Sequence, residues 1–585
     1  MKRIDINSRR TRALIGALIG AAAFLLVFGV RPLNVSDDLW IFSGYADRDI
    51  VQHYAGWLFY RDAPIEFPLC FTTAINYPFG ASIIYSDSLP LLSIIFRFLS
   101  PILPETFQFF GIWVFLCFVL QGFFASKLLD VFSKSLFTNI VGTVLFVFSP
   151  VMIERCFRHT SLASQFLILA SLYLYFKNKK EGYRYRWGYV ALSVLSALIH
   201  PYFLPMVFAV LFADLLEHAI KTKEFLKSLG FLLLNFAAVA FSLFSIGYFK
   251  NVSGGNHSGY GLFNFNFNSL FNPESKHGFI WSRILPTWDT VYINENFLYL
   301  GLGMLIALAA AGIYLLVTFK KTKPLKYIKS YPVLFFSACC LTIFAVSNVI
   351  TINDSRIILF ELSGALGEFA NTFRSSARMF WPVYYLIFTF LIVFTDKLKS
   401  PLTLRKEKPE SGAKPVVVSL GAVLLLLLSA VQLFDMAPTL INKHIDFKNG
   451  SNHFDVPTSN AFFEENTDAF DRVVTIGGAT NEGLYVALFC AKNEIVTNEP
   501  FLALTNSEQY NSYANEEYEK LLRGEFDEDT LYIIIDEEQF LAAAQAVGGK
   551  MTAAVIGESY RLLIPTNEKV KLPAESESFK TVSFE

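Results

Sequence analysis

The sequence predicts a polytopic α-helical membrane protein with about 11 spans and a C-terminal extracytoplasmic α/β domain. The chain of 585 residues is 53% hydrophobic and only 17% charged, whereas soluble domains carry about 25% charged residues. Its mean hydropathy is +0.42. Residues 437–585 hold about 25 of the 50 acidic residues against about 11 basic ones. We therefore expect a transmembrane domain over 1–436 and a soluble domain over 437–585.

Eleven apolar segments approach the length of about 20 residues that a transmembrane helix needs. They lie at 13–30, 105–126, 135–150, 160–176, 188–199, 203–219, 228–249, 296–319, 331–350, 377–395 and 415–436. Arg31-Pro32 follows the first segment where a signal peptide would have small residues, which favours an uncleaved helix.

The basic residues predict the topology, because lysine and arginine collect on the cytoplasmic side of a membrane. Basic connectors lie at 127–134, 177–186, 221–227, 320–329 and 397–408. With eleven spans and a cytoplasmic N-terminus, all five connectors lie inside. This predicts a multi-pass protein of the plasma membrane, with the C-terminal domain outside.

Two apolar segments agree with this topology only if their number of membrane crossings is fixed. The run 89–103 is interrupted by Arg97 and Pro101, so we place it as an interfacial or re-entrant helix within the long outer loop 31–104. The run 187–218 must cross twice, turning at His200-Pro201-Tyr202 on the outer face. The inner connectors are short and offer basic residues but no other candidate groups, so we expect any functional site on the outer face of the membrane.

The C-terminal region alternates strands and helices, as a small α/β domain does. Strands are predicted at 472–478, 530–536, 553–557 and 560–565, and helices at 508–522 and 537–547.

The outer loop contains the first candidate site. Asp49, His53, Trp57 and Tyr60 are spaced by three and four residues, so they share one face of a helix. A carboxylate one turn from an imidazole can act as a general base with a tuning partner, or as a pair of metal ligands. The alternative is an ordinary interfacial helix with Trp and Tyr at headgroup level. For Asp87 we favour a helix cap on the segment that follows.

A second candidate is a set of cations on the predicted outer face, where such residues are disfavoured. It comprises Arg155, Arg158, His159, Arg374 and Arg378. Guanidinium groups match a phosphate or diphosphate bidentately. The alternative is that these side chains extend towards lipid headgroups.

Other classes of function lack support in the sequence. A net charge of -1 argues against nucleic-acid binding, and the six cysteines have no metal-ligand spacing. No Gly-rich phosphate loop or Gly-x-Ser-x-Gly elbow is present. The alternation over 263–268, Phe-Asn-Phe-Asn-Phe-Asn, suits a strand or an aromatic, amide-rich surface for sugar.

The order of these features is similar to that of the GT-C superfamily of membrane glycosyltransferases. More closely, motifs over nearly the whole chain resemble an uncharacterised family of bacterial multi-pass proteins related to that superfamily. They are Asp49-x3-His53-Tyr-x-Gly56-Trp57, Tyr77-Pro-x-Gly80, Asp87-Ser-x-Pro90, Phe107-Gln-x-Phe-Gly111, Arg155-x3-His159 and Phe373-Arg-x-Ser-x-Arg378-x-Phe-Trp-Pro382. The Asp-Glu pair of the mannosyl- and aminoarabinosyl-transferase branches and the Trp-Trp-Asp motif of oligosaccharyltransferases are missing. Acceptor and metal dependence therefore stay open, with Mg²⁺ or Mn²⁺ as the divalent cations considered.

The resemblance implies a hexosyltransferase that moves a sugar from a polyprenyl phosphate or diphosphate to a surface glycan, lipid or protein. The catalytic carboxylate of the first outer loop maps to Asp49, with His53 orienting it or tuning its pKa. The outer cations would stabilise the leaving phosphate. Further substrate contacts are expected from Trp57, Tyr60, Asp87 and His200. The alternatives are a lipid-linked glycan translocase or transporter, and a non-catalytic envelope assembly protein.

Overall fold

A computed structural model of the chain describes most of its residues. The described ranges are 8–42, 47–251, 259–275, 279–290, 295–322, 329–398, 401–402, 418–449, 458–477, 483–499, 501–503, 506–557, 560–576 and 579–582. The chain divides into two units. The first comprises Met1–Asp37, Phe109–Val239 and His257–Gly450, and the second comprises Asp38–Gln108, Ala240–Asn256 and Ser451–Glu585.

The α-helices are named in chain order. The first ten are α1 (Arg9–Phe28), α2 (Asp47–Arg61), α3 (Pro90–Leu99), α4 (Phe110–Phe132), α5 (Leu136–Val147), α6 (Pro150–Arg155), α7 (Phe166–Glu181), α8 (Trp187–Ile199), α9 (Phe203–Thr222) and α10 (Phe225–Ser245). They are followed by α11 (Leu302–Val317), α12 (Phe319–Thr322), α13 (Pro332–Val346), α14 (Gly364–Thr372), α15 (Trp381–Asp396), α16 (Leu420–Asn449), α17 (Ala461–Glu465), α18 (Gly483–Lys492), α19 (Ser507–Leu522) and α20 (Glu537–Val547).

The strands are named in the same way. They are β1 (Phe71–Thr72), β2 (Ala81–Ser82), β3 (Val349–Ile352), β4 (Ser355–Ile358), β5 (Pro401–Leu402), β6 (Val418–Ser419), β7 (Arg472–Ile476), β8 (Val496–Thr497), β9 (Thr530–Ile534), β10 (Met551–Ile556), β11 (Tyr560–Pro565) and β12 (Lys580–Thr581).

The apolar helices confirm a membrane protein. In the described part of the chain, 7 helices are long and apolar enough to cross a bilayer. They are Arg9–Phe28, Phe110–Phe132, Leu136–Arg155, Phe203–Thr222, Phe225–Ser245, Ser376–Asp396 and Leu420–Asn449. The other four predicted spans contain the shorter helices α7, α8, α11 and α13, of 13 to 16 residues. A count of eleven crossings therefore stays a prediction.

Helices α1 and α4 pack with their backbones in close contact. A Cβ added to Gly16 would clash with the carbonyl oxygen of Gly122, and one added to Gly20 would clash with that of Phe118. Small residues allow such an approach between membrane helices, and dispersion then stabilises the pair. Phe24 continues the contact with edge-to-face rings on Phe115 and Phe118.

The last membrane helix is longer than the sequence predicts. Helix α16 has 30 residues and continues through Pro438 to Asn449, 13 residues beyond the predicted end of the span at 436. Proline removes one backbone hydrogen bond of a helix, yet the helix continues past residue 438. Packing prevails here, because Thr439, Lys443 and Phe447 are all buried.

The sheet of the second unit has six strands in the order β12-β10-β11-β9-β7-β8. Strands β7, β8 and β9 are parallel, whereas β10, β11 and β12 pair antiparallel. All four predicted strands and both predicted helices are present. Val474, Ile534 and Leu563 from the sheet and Phe540 from α20 belong to one buried core.

Most of the predicted outer loop folds together with this sheet. Backbone hydrogen bonds join Thr497 N to Ala74 O and Tyr77 N to Thr497 O, both at 3.0 Å, and Ala503 N to Tyr85 O at 2.7 Å. The short helix α3 has 10 residues, or about 15 Å, half of a bilayer core. It is too short to cross a membrane, as predicted, and its interfacial placement stays a prediction.

Two of the three asparagines of the Phe-Asn alternation are engaged inside the protein, and a role of this segment in sugar binding stays a prediction. Asn264 and Asn266 are buried. The side-chain amide of Asn264 donates to Val346 O at 3.0 Å, and that of Asn266 donates to Asn353 O at 2.8 Å. Their hydrogen-bonding groups stabilise the hairpin β3–β4, because a buried amide must be bonded inside the protein.

Candidate functional site

A carboxylate that the sequence analysis did not single out, Glu295, organises the predicted outer cations. Its Oε2 accepts hydrogen bonds from Arg378 Nε at 3.0 Å and Nη2 at 2.6 Å, and from Arg155 Nη1 at 3.3 Å. Its Oε1 lies 3.2 Å from His159 Nε2. We call these four residues the Glu295 cluster.

The Glu295 cluster is positioned by the ends of helices in the first unit. Arg155 is the last residue of α6, and Arg378 lies in the 3₁₀ turn that leads into α15. Arg155 Nη2 also donates to the backbone oxygen of residue 295 at 3.2 Å. Backbone and side chain of Glu295 are therefore both held.

Three of the predicted outer arginines are buried, and their role in phosphate binding stays a prediction. Arg155, Arg158 and Arg378 are only 3%, 4% and 6% exposed. Arginines that extend towards lipid headgroups keep their guanidinium groups in water, so that alternative fails for these three. Buried ions within a membrane domain are costly and usually mark function.

The charge state of Glu295 follows from its neighbours. Burial alone would raise the pKa of its carboxyl group, but Arg378, Arg155 and His159 hold that pKa well below its usual range. Glu295 is therefore ionised at neutral pH. One negative charge on Glu295 therefore faces two guanidinium groups and an imidazole.

Arg158 belongs to a second buried group. Its guanidinium pairs with Glu154, whose Oε2 accepts from Trp281 Nε1 at 2.9 Å. The ring of Phe279 lies 4.6 Å from the Arg158 guanidinium and 4.9 Å from the Lys443 ammonium. Within the described residues, Arg158 Nε and Nη2 have no hydrogen-bond partner. These buried N–H groups are therefore unsatisfied within the described residues.

The remaining predicted cation, Arg374, lies apart from both groups. Its side chain is exposed, so both interpretations of Arg374 stay predictions. His200 is buried, and its Nδ1 accepts from the backbone N–H of Tyr202 at 3.2 Å. The ring of Tyr202 lies 4.8 Å from the Arg378 guanidinium. His200 thus supports the turn that carries a neighbour of the Glu295 cluster.

An apolar pocket of about 340 Å³ lies beside this turn. Its walls come from α9, α13 and α14 and from Phe373 and Met379, the latter next to Arg378 in sequence. Tyr202 contacts the ring of Phe373 at 5.4 Å, and its hydroxyl accepts from Ser375 N at 3.0 Å. The segment 373–379 therefore borders the pocket on one side and supplies Arg378 to the Glu295 cluster on the other.

The catalytic candidates lie in the second unit, on α2 as predicted. Asp49 is half-buried, and His53 is buried one turn later. His53 Nε2 lies 3.9 Å from Asp87 Oδ2. Imidazole and carboxylate suit a general base with its tuning partner, and both also ligate divalent cations.

Asp87 does not cap the following helix, contrary to the prediction. Helix α3 starts at Pro90, with Leu89 at the N-cap position and no capping side chain. Asp87 itself ends the preceding 3₁₀ turn with a φ of 54°, a backbone conformation that aspartate tolerates better than most residues. This turn brings its carboxylate to His53.

Trp57 and Tyr60 are buried within the second unit. Trp57 Nε1 donates to Phe107 O at 3.1 Å, and the Tyr60 hydroxyl donates to Leu69 O. Both polar groups therefore stabilise the loop in this structure, and a role in substrate binding stays a prediction.

Glu295, Glu154, Trp281 and Lys443 are the site residues that sequence reasoning missed. The available signal was weak: each is polar or amphipathic next to an apolar segment. Only the argument that buried arginines need a carboxylate partner would have prompted a search for Glu295.

The fold and these groups define a polytopic membrane protein with a buried cation–carboxylate cluster beside an apolar pocket, and with a sheet-containing C-terminal region. The chain belongs to the family described as domain of unknown function DUF6311, which it matches over residues 17–437. Residues 462–565 match the DUF6311 C-terminal domain. A comparison with curated proteins finds no match.

Proposed function

We propose that this protein is a GT-C-type membrane glycosyltransferase. It moves a sugar from a polyprenyl-phosphate donor to a glycan, lipid or protein acceptor on the outer face of the inner membrane. The observation that carries the proposal is that one segment, 373–379, both borders the apolar pocket and supplies Arg378 to the Glu295 cluster. A ligand that matches both features is an amphiphile with an anionic head.

The cations suit a phosphate head. Guanidinium groups bind phosphate through parallel N–H donors. Glu295 keeps Arg155 and Arg378 in fixed positions, so little reorganisation is needed when negative charge develops on a leaving phosphate. Arg158 adds buried N–H groups that have no partner among the described residues.

The pocket suits a hydrocarbon tail. Its volume of about 340 Å³ falls in the range of ligand-binding cavities, about 300 to 1,000 Å³. Phenylalanines line it on three elements, at Phe212, Phe336, Phe344, Phe369 and Phe373. Such a wall attracts an isoprenoid chain by burying apolar surface.

In the proposed reaction an acceptor hydroxyl attacks the anomeric carbon of the sugar. A new C–O bond forms, the bond from that carbon to the phosphate oxygen breaks, and polyprenyl phosphate leaves with the electron pair. Asp49 takes the hydroxyl proton, and His53 orients that carboxylate or tunes its pKa. Asp87 adds a second carboxylate beside His53. A divalent cation bound by these ligand types would favour deprotonation of the hydroxyl.

A binding experiment tests the donor class. Farnesyl phosphate, farnesol and inorganic phosphate are compared by thermal shift on the purified full-length protein. Farnesyl phosphate should bind more tightly than farnesol and more tightly than inorganic phosphate. Cys340→Trp, which fills the pocket, should weaken farnesyl phosphate but leave inorganic phosphate unchanged, and Arg378→Gln should weaken both. Cys339→Trp, one residue outside the pocket lining, is the matched control.

A transfer experiment tests the reaction. Proteoliposomes receive a labelled polyprenyl-phosphate sugar and a surface-glycan extract as acceptor. Label on the acceptor that is lost with Asp49→Asn supports the enzyme. Movement of the intact lipid-linked sugar between leaflets, without transfer, would contradict it and favour the translocase.

A further inference from the structure

A second cavity, of about 510 Å³, lies where the N-terminus of α1 meets the C-terminal ends of α4 and α7. Five basic side chains and two acidic ones line it. The basic residues are Arg9, Arg10, Lys127, Lys177 and Lys180. The cavity lies wholly within the first unit.

The two acids of the cavity are already engaged. Glu181 accepts from Arg9 at 2.9 Å and from Lys177 at 2.6 Å, and Asp130 lies 3.3 Å from Arg9. Within the described residues, Arg10, Lys127 and Lys180 form no ion pair with a carboxylate. Three positive charges are therefore left to be balanced by something that enters the cavity or by water.

Aromatic rings hold two of the ammonium groups in place. The Lys127 ammonium lies 5.0 Å from the Phe123 ring and 5.2 Å from the Tyr173 ring. The Lys177 ammonium lies 5.5 Å from the Tyr185 ring. A ring attracts an ammonium through its face but accepts no strong hydrogen bond. Lys127 therefore keeps N–H donors for a ligand oxygen.

General tendencies explain the charges but not the cavity. Positive residues collect at cytoplasmic helix ends, and they interact favourably with the C-terminal ends of α4 and α7. Neither effect requires them to surround a space of ligand size. Basic pockets between membrane helices on the cytoplasmic side are suited to phosphate headgroups of lipids.

We infer that this cavity binds a phosphate group, and that its source is the headgroup of an anionic phospholipid in the leaflet that contacts the basic ends of α1, α4 and α7. This inference does not depend on the proposed glycosyltransferase function. It places a site at the face where the sequence analysis expected none.

The test uses the purified full-length protein in nanodiscs of phosphatidylcholine with a titrated fraction of phosphatidylglycerol. Retained phosphatidylglycerol is counted by native mass spectrometry. Arg10→Gln/Lys127→Gln should weaken retention about tenfold or more, because two basic side chains that attract the anionic headgroup lose their charge. Lys221→Gln/Lys320→Gln makes the same charge change at exposed positions outside the lining, and it should retain the lipid like the wild type.

Two further measurements complete the test. Arg10→Lys/Lys127→Arg keeps the charges and should restore retention, which separates a lost site from a lost fold. Glycerol 3-phosphate, added in zwitterionic detergent, tests a soluble phosphate compound as the other source of the phosphate group. If it saturates the protein at a lower concentration than phosphatidylglycerol does, the lipid assignment would be overturned. Equal retention of phosphatidylglycerol in Arg10→Gln/Lys127→Gln and the Lys221→Gln/Lys320→Gln control would overturn the site itself.

Discussion

Arg378 donates two hydrogen bonds to a single carboxylate oxygen of Glu295, from Nε at 3.0 Å and from Nη2 at 2.6 Å. The guanidinium and carboxylate are therefore not in the parallel two-oxygen arrangement that is common for this pair. The other oxygen is left for His159 at 3.2 Å. Glu295 thus gathers cations from two separate segments, and its removal should affect both.

We predict that Glu295→Gln destabilises the fold and increases its response to phosphate. Removing one partner of a buried ion pair costs about 3 to 5 kcal/mol, because the charges left behind are uncompensated. Arg155, Arg378 and His159 would then lack their common anion. In thermal unfolding of the full-length protein, the midpoint should fall, and inorganic phosphate should raise it more than in the wild type.

Glu361→Gln serves as the control for this experiment, since Glu361 is exposed in the same unit. Its midpoint and its response to phosphate should match those of the wild type. A Glu295→Gln protein that unfolds like the wild type and ignores phosphate would show that the cluster is not held by this carboxylate.

The two carboxylates near His53 should differ in their effects on sugar transfer. Asp49→Asn should lower the transfer rate by about 10²- to 10⁴-fold, the contribution typical of general base catalysis. Asp87→Asn removes the carboxylate 3.9 Å from His53, so it should shift the pH–rate profile and lower the rate less. Asp62→Asn, an exposed position on the same loop, should leave the rate unchanged. A larger loss with Asp87→Asn would reverse the roles of the two carboxylates.

The sequence predicted those parts of the fold that depend on local pattern. Apolar length and basic connectors placed helices in all eleven segments, and alternation placed β7, β9, β10 and β11. The run 89–103 contains only a short helix, as predicted: α3 ends at Leu99, just before Pro101, although it includes Arg97. Helix α16 continues beyond the predicted end of the span at 436, because Pro438 is tolerated where packing buries the residues after it.

The candidate sites were predicted only in part, because they join distant residues. Glu295 lies 140 residues from Arg155 and 83 from Arg378 in sequence, and no local pattern links them. The helix face with His53 was predicted from spacing, but its contact with Asp87 depends on the turn of residues 83–86, with a positive φ at Asp87. The cap predicted at Asp87 was wrong for the same reason, since a turn that directs the carboxylate to His53 removes it from α3.

Gly56→Ala should disturb the loop that carries Asp87. A Cβ at this position would clash with the hydroxyl oxygens of Ser86 and Ser88, and Ser88 donates to His53 O at 2.7 Å. Overpacking costs about 1 to 3 kcal/mol, which exceeds the gain of up to about 1 kcal/mol from replacing a helical glycine. Hydrogen exchange of residues 83–88 should therefore accelerate.

Gly230→Ala is the matched comparison for Gly56→Ala. A Cβ at Gly230 in α10 would meet nothing within 4 Å, so the same substitution should be neutral or stabilising there. If the hydrogen-exchange protection of residues 83–88 is unchanged in the Gly56→Ala protein, Ser86 and Ser88 move aside without a loss of local stability.

The stability of the C-terminal sheet region should depend on pH through Glu499. This carboxyl group is fully buried against Gly483, the first residue of α18, and burial raises its pKa from 4.5 to about 8. Between those values the unfolded chain loses the proton while the folded chain keeps it, so folding stability falls as pH rises from 4.5 to 8. At pH 7 the free energy of unfolding is therefore about 3 kcal/mol lower than at a pH well below 4.5, where both states keep the proton. Hydrogen exchange of residues 483–492 should therefore be slower at pH 5 than at pH 8, after correction for the intrinsic exchange rate.

Glu499→Gln tests this assignment, because glutamine keeps the shape and cannot ionise. In the variant, the corrected protection of 483–492 should be nearly independent of pH and should exceed that of the wild type at pH 8. Glu494→Gln changes an exposed carboxylate five residues earlier and should retain the wild-type dependence. A pH dependence that survives in Glu499→Gln would place the titrating group elsewhere in the region.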